Sequence, residues 1–299
     1  MHPPNLLFAL VFVAALGVEA ASAQPGLGAQ GTEGEPHRRQ QWLVPAPDPV
    51  AAAHAVLFRP SGEGPFPLAL IAHASTQNVL RRAQMPQPEY RALAAWLVDR
   101  GFAVLVPERP GHGATGGKYL EDQGGCDEAD YAKAGRATAD AIATAAEFMR
   151  RQSFIRPDGA VVIGHSAGAW GGLALAGEDP KSLSAIIAFA PGRGGHANDL
   201  PNRVCAPHTL TAAAGEFGRA ARVKVTWLVG ANDSYFSPAL SRQLADAFRN
   251  AGGRADFHVL PAHGSEGHWL VESEDGVKLA AGELDRALKA RSPNQAKKP

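Results

Sequence analysis

Gly164-His165-Ser166-Ala167-Gly168 sets a serine between glycines at the end of the apolar run Val161-Val162-Ile163. A serine hydroxyl attacks a carbonyl carbon only when a base takes its proton and a carboxylate holds that base in the right tautomer. The chain supplies candidates for both. Asp233 closes the turn Gly230-Ala231-Asn232-Asp233 after the apolar run Val223 to Val229. His263 and His268 share the loop after Ala255 to Leu260, His263 nearer the strand and His268 between Gly267 and Trp269, and either could swing toward Ser166. Ser, then Asp, then His is the chain order that accompanies Gly-x-Ser-x-Gly on a strand-turn-helix. The charge that builds on the attacked carbonyl oxygen needs two aimed donors. Ala167 N–H opens the following helix, and Ser75 N–H, with Ala74 beside it, follows the run ending at Ala72. The bland alternatives are an idle serine in a βα turn, a turn or N-cap aspartate, and surface histidines.

Those residues need a scaffold that brings distant strand ends together. Leu68 to Ala72, apolar on both faces, reads as a central parallel strand, and Phe102 to Val106, Val161 to Ile163, Leu183 to Phe189, Val223 to Val229 and Ala255 to Leu260 read as further strands. Between them lie helical patterns at Pro88 to Arg100, Ala132 to Arg151, Ala169 to Ala176, Pro238 to Asn250 and Val277 to Leu288. Alternation of this kind implies an α/β domain with a parallel sheet covered on both faces, whose chemistry gathers at the carboxyl ends of the strands. His73, Arg109, Ser166, Asp233 and the last two histidines all fall there. His73, His112 and His165 read as structural hydrogen-bonding residues, and His258 as a packed or edge side chain. Arg81, Arg82, Arg109, Arg193 and Arg203 are nearby cations to which no role is assigned. The 190 to 218 connection, expected to carry at most one short helix, and the 113 to 131 loop are the segments that would shape a pocket.

The 299 residues carry 29 basic and 29 acidic side chains, a balance that gives no nucleic-acid surface and makes a small molecule the expected partner. The apolar run Leu6 to Leu16, followed by Ala21-Ser22-Ala23, reads as a signal peptide over residues 1–23, so export is expected, with no membrane attachment after cleavage. In an oxidising compartment Cys126 and Cys205 are expected to pair. Residues 24–45 read as a flexible arm, 46–290 as the folded domain and 291–299 as a disordered tail.

The chain resembles the α/β-hydrolase superfamily, and within it the serine hydrolases related to dienelactone hydrolase. The resemblance spans roughly Ala53 to Leu288 and rests on His73-Ala74-Ser75, Arg109-Pro110-Gly111-His112-Gly113, the Ser166 motif, and Gly230-Ala231-Asn232-Asp233 with Ser234-Tyr235-Phe236. It implies an α/β-hydrolase fold with a mostly parallel eight-stranded sheet whose second strand is antiparallel. It also implies His268 as the base over His263, in Gly264-Ser265-Glu266-Gly267-His268-Trp269-Leu270. The chain departs from the family in having Ala74 where His-Gly is usual, and dienelactone hydrolase proper has a cysteine nucleophile, so its substrate does not carry over. The resulting expectation is hydrolysis of a carboxylic ester or lactone through an acyl-enzyme, without metal or organic cofactor. The rivals are an amide or peptide hydrolase, an acyltransferase, and a binding protein that keeps the fold.

Overall fold

The computed structural model describes residues 26–48, 52–179 and 181–290. The expected signal peptide and the expected tail lie outside the described residues. Nine strands form one sheet: β1 (Gly28–Gly34), β2 (Arg39–Pro45), β3 (Ala52–Phe58), β4 (Leu68–Ala72), β5 (Ala103–Pro107), β6 (Ala160–His165), β7 (Leu183–Phe189), β8 (Val225–Gly230) and β9 (Ala255–Leu260). Their spatial order is β1-β2-β3-β5-β4-β6-β7-β8-β9. From β5 onward every pairing is parallel, whereas β3 runs antiparallel to both β2 and β5.

Strands β2 to β9 are thus the expected eight, with β3 as the antiparallel second strand. The ninth is β1, an added edge strand paired with β2. Residues 28–45, expected as a flexible arm, are therefore ordered as two strands. Trp42, Leu43 and Val44 of β2 are buried and hold this hairpin to the body. β1 itself is GAQGTEG, too polar to show the alternation by which a half-buried strand is recognised.

Successive side chains of a strand face opposite ways, so a strand buried on both faces feeds two cores. In β4, Leu68, Leu70 and Ala72 enter one core and Ala69 and Ile71 the other. The first core is covered by α3 (Tyr131–Arg150), α4 (Ala167–Leu175), α5 (Pro207–Ala220) and α6 (Pro238–Asn250), the second by α2 (Arg91–Val98) and α7 (Glu274–Lys289). A short helix, α1 (Val79–Ala83), precedes α2. The 190 to 218 connection holds more structure than expected, a 3-10 turn at Ala197–Asp199 and the 14-residue α5. Pro207 starts α5 at a position where the lost N–H has no intrahelical partner.

Cys126 and Cys205 form a disulfide that ties the 113 to 131 loop to this connection. Closing a separation of 79 residues corresponds to about 4.5 kcal/mol of removed chain entropy. Among the described residues no helix is long and apolar enough to cross a membrane.

Candidate active site

Ser166 sits between β6 and α4 with φ 54° and ψ −116°, a backbone conformation that a non-glycine residue adopts only under constraint. Its neighbours explain why that turn needs glycines. A Cβ at Gly164 would collide with the Ala169 backbone, and one at Gly168 with the carbonyls of Ala72 and His73. Helix and strand thus approach closely enough to lift Ser166 above the sheet. Its backbone N–H donates to Phe189 O at 2.9 Å and its carbonyl accepts from Trp170 N at 2.8 Å, which fixes the turn on both sides.

Asp233 and His268 meet as a buried pair. His268 Nδ1 lies 3.0 Å from Asp233 Oδ2, and the two side chains are 1% and 0% exposed. The other carboxylate oxygen of Asp233 accepts the backbone N–H groups of Tyr235 and Phe236, each at 2.8 Å. One oxygen is thereby committed to its own turn and the other to the imidazole. Burial holds the His268 pKa below the usual histidine value, opposed by the hydrogen bond and charge of Asp233, so the ring is a neutral base at pH 7.

His268 also has a supported face and a supported backbone. The Tyr235 ring stacks on it at 4.3 Å, and His196 stacks on Tyr235 at 3.6 Å. Glu266 accepts His268 N–H and Ser234 N–H, each at 3.0 Å, as well as the Ser234 hydroxyl. Ser234 Oγ lies 2.8 Å from His196 Nε2, closing the circuit from the 190 to 218 connection to the His268 loop. Nothing in the spacing of His196, Ser234 and Glu266 announces this cluster, because three separate loops build it.

Ser166 and His268 line one cavity of about 940 Å³ at the carboxyl ends of the strands. Ala74, Ser75 and Ala167 line it too. The Ala74 N–H is already spent, since it donates to Tyr90 Oη at 3.1 Å. That leaves Ser75 N–H and Ala167 N–H, the latter at the first position of α4, where no intrahelical carbonyl can take it. The Ser75 hydroxyl is 2.7 Å from His112 Nε2, and the opposite ring nitrogen of His112 is 3.0 Å from Arg109 O. Burial pushes the His112 pKa down to about 4, so a neutral ring donates to the carbonyl and accepts from Ser75.

His263 stands apart from this group. Its Nε2 is 2.8 Å from Ser273 Oγ, and its backbone is bracketed by the Asn232 side chain. His258 lies on β9, half-buried, 3.5 Å from Glu283.

His73 and His165 have structural bonds as expected, but the second reaches further than a packing role. Arg109 N–H donates to His73 Nε2 at 3.1 Å, which places the ring proton on Nδ1, 2.6 Å from Ala74 O. His165 Nε2–H donates to His268 O at 2.8 Å, and its Nδ1 accepts from Tyr90 Oη at 2.9 Å. Tyr90, a left-handed residue just before α2, therefore joins the Ser75 loop to the Ser166 turn through one hydroxyl, and His165 carries the link on to the His268 loop. Its sequence signal was only that of an apolar helix position.

Three of the unassigned arginines also acquire partners, Arg82 by donating to the carbonyls of Thr76, Gln77 and Gly111. Arg109 and Arg193 both pair with Glu121, and all three are buried. The two arginine charges hold the Glu121 carboxyl far below the usual carboxylate range against the cost of burial. Arg193 further donates to Thr138 Oγ1 at 2.8 Å, fastening the 190 to 218 connection to α3.

The family model for serine aminopeptidases, S33, matches residues 87–222. No curated protein matches the chain. Among solved structures, one described as a dienelactone hydrolase from Klebsiella pneumoniae is 15% identical with a TM-score of 0.56, over 84% of this chain and 98% of that one. An acetyl xylan esterase from Paenibacillus sp. R4 is 14% identical with a TM-score of 0.60, over 90% of each chain. Porphyromonas gingivalis dipeptidyl peptidase 4 is 14% identical with a TM-score of 0.59, and the match covers 85% of this chain but only 36% of that one. Likenesses at this identity speak to the fold. They agree with the strand order, the antiparallel β3 and the family-model match across the centre of the chain, and together these findings show that the chain has the α/β-hydrolase fold.

Proposed function

We propose that the protein is an exported serine hydrolase that cleaves a carboxylic ester or lactone through an acyl-enzyme. The observation that carries this reading is the buried His268–Asp233 pair at 3.0 Å on the cavity that also holds Ser166 in its strained turn. Ser166 Oγ attacks the carbonyl carbon while His268 Nε2 takes its proton, and Asp233 holds the imidazole with its proton on Nδ1. The oxyanion accepts from the Ala167 and Ser75 N–H groups. His268 then returns the proton to the leaving oxygen, the C–O bond breaks, and a water repeats the sequence on the acyl-enzyme.

A second reading, peptide or amide hydrolysis on the same residues, is favoured by the serine aminopeptidase family model and by the dipeptidyl peptidase among the structural neighbours. The esterases among those neighbours weigh the other way. Acyl transfer to an alcohol in place of water would use the same first half-reaction. Export is inferred from the leader-like start of the sequence and from the disulfide, which belongs to an oxidising compartment.

Turnover of p-nitrophenyl acetate beside an alanine p-nitroanilide separates the two hydrolytic readings. Ester cleavage that disappears in Ser166→Ala is expected. Faster anilide cleavage would favour the peptidase, and full activity in Ser166→Ala would refute the mechanism.

A further inference from the structure

The hydroxyl of Tyr90 stands at a junction that the proposed reaction does not use. It accepts the Ala74 N–H at 3.1 Å and lies 2.9 Å from His165 Nδ1, while the opposite ring nitrogen of His165 lies 2.8 Å from His268 O. The protons give this series a direction. An imidazole that donates from Nε2 to a carbonyl holds, in its neutral form, a lone pair on Nδ1, so the phenol donates there and keeps its own lone pairs for Ala74. Every donor then points the same way, from Ala74 through Tyr90 and His165 to the carbonyl of His268. Hydrogen bonds aligned in such a series polarise and strengthen one another.

The series touches the chain at or beside each reacting group. Ala74 precedes Ser75, whose N–H is one of the two oxyanion donors, His165 precedes Ser166, and His268 is the base itself. Those residues follow three different strands, β4, β6 and β9. Tyr90 belongs to none of their loops. Ala94 N–H donates to its carbonyl at 2.8 Å, which ties it to the start of α2 and gives the hydroxyl a rigid base. Its backbone is left-handed, φ 46° and ψ 47°, a conformation uncommon for a bulky residue and of the kind that collects at functional sites.

Water is a poor substitute at this junction. Tyr90 borders the cavity, yet it, Ala74 and His165 are all buried. Removing the hydroxyl leaves a buried N–H and a buried ring nitrogen without that partner. Glu272 also faces the hydroxyl, and its Oε1 is 3.4 Å from His165 Nδ1. Its side chain is 46% exposed, so solvent can satisfy the carboxylate, whereas Nδ1 depends on the phenol.

We infer that Tyr90 is a positioning residue for the acyl transfer, its hydroxyl holding the oxyanion donor, the nucleophile turn and the base in one register. The inference rests on the serine-hydrolase reading above and adds to it a residue that acts through Ala74 and His165.

The test uses Tyr90→Phe, which keeps the ring and deletes the hydroxyl, and His165→Gln, whose amide nitrogen can still donate to His268 O but which lacks the Nδ1 acceptor. With p-nitrophenyl acetate, Tyr90→Phe should lower kcat by about 10- to 100-fold and leave KM within about twofold, the pattern of misplaced reacting groups. His165→Gln should lower kcat by about tenfold. The double variant should be no worse than Tyr90→Phe, since both changes break the same bond. Ethylboronic acid, which forms a tetrahedral adduct on a nucleophilic serine, reports the oxyanion register directly. Its Ki should rise by about the factor by which kcat/KM falls. A folded Tyr90→Phe protein with kcat within twofold of wild type, a change confined to KM, an unchanged Ki for the boronic acid, or losses that multiply in the double variant would each overturn the inference while ester hydrolysis stands. If Tyr90→Phe does not fold, kcat and Ki of His165→Gln decide by the same limits. Absence of turnover by the wild-type protein removes the underlying reading and this one with it.

Discussion

Replacing Asp233 by Asn separates the orienting role of this residue from its bulk. The carboxylate uses Oδ1 for the N–H groups of Tyr235 and Phe236 and Oδ2 for His268 Nδ1. A carboxamide must keep its oxygen on the two backbone donors, because turning it over would face its NH2 toward them. Its NH2 then faces His268 Nδ1. Two donors cannot share that contact, so the ring moves its proton to Nε2 and accepts at Nδ1 from the new amide. The nitrogen that should take the Ser166 proton is then already protonated. Loss of the correct tautomer in a Ser-His-Asp arrangement costs about 10³- to 10⁴-fold in kcat, equivalent to roughly 4 to 5.5 kcal/mol of barrier. KM should change little, because Asp233 reaches the cavity only through His268. The assay is kcat and KM for p-nitrophenyl acetate at pH 8, with a thermal melt to establish that the variant folds. A folded Asp233→Asn protein within tenfold of wild-type kcat would refute the orienting role.

His268→Ala should lower kcat by about 10³-fold or more, whereas His263→Ala, which loses only its bond to Ser273, should stay within about twofold; comparable falls in both would contradict the choice of base. The pH profile follows from the lowered pKa of His268, which is active when neutral. The rate should therefore hold as pH falls below the ordinary histidine value near 6.5 and be lost only as pH passes through the lower pKa in the protein. The carboxylates around His268 are Asp233 and Glu266, and Glu266 favours the imidazolium. Glu266→Gln removes that charge, so the acid limb of kcat/KM should move to still lower pH, and a shift to higher pH would contradict the assignment. A Cys126→Ser, Cys205→Ser protein should lose about 3 to 4.5 kcal/mol of stability, read as a melting point lower by about 10 °C, and an unchanged melt would show that the loops are held without the bridge.

The parts of the molecule with a local signature were legible in the sequence. Runs such as Leu68–Ala72, Leu183–Phe189 and Ala255–Leu260 are strands with the expected bounds, and Pro238–Asn250 is a helix with the expected bounds. Their apolar periodicity or their flanking glycines and prolines state the element directly. The turn at Ser166 was equally readable, because Gly164 and Gly168 are demanded by the approach of Ala169 and Ala72. The β1–β2 hairpin was not, since its outer strand is held by pairing with β2 and not by a buried face of its own. Contacts made by folding alone were also silent. Tyr90 reads as one more core residue until its hydroxyl is seen between Ala74 and His165. Glu121 carries no signal in the 113 to 131 loop, and only folding closes Arg109 and Arg193 over it. Which histidine meets Asp233 is a question of loop path, because His263 and His268 lie five residues apart and the 3-10 turn at Gly267–Glu272 carries only the second inward.

The central claim is that Ser166 is the nucleophile of a working acyl-transfer site. Treating the purified protein with a fluorophosphonate and mapping the adduct by peptide mass spectrometry tests it most directly. One phosphonyl group on the peptide containing Ser166, with parallel loss of p-nitrophenyl acetate turnover and no label on Ser166→Ala, is the predicted result. A protein that hydrolyses the ester yet carries no adduct at Ser166 would contradict it.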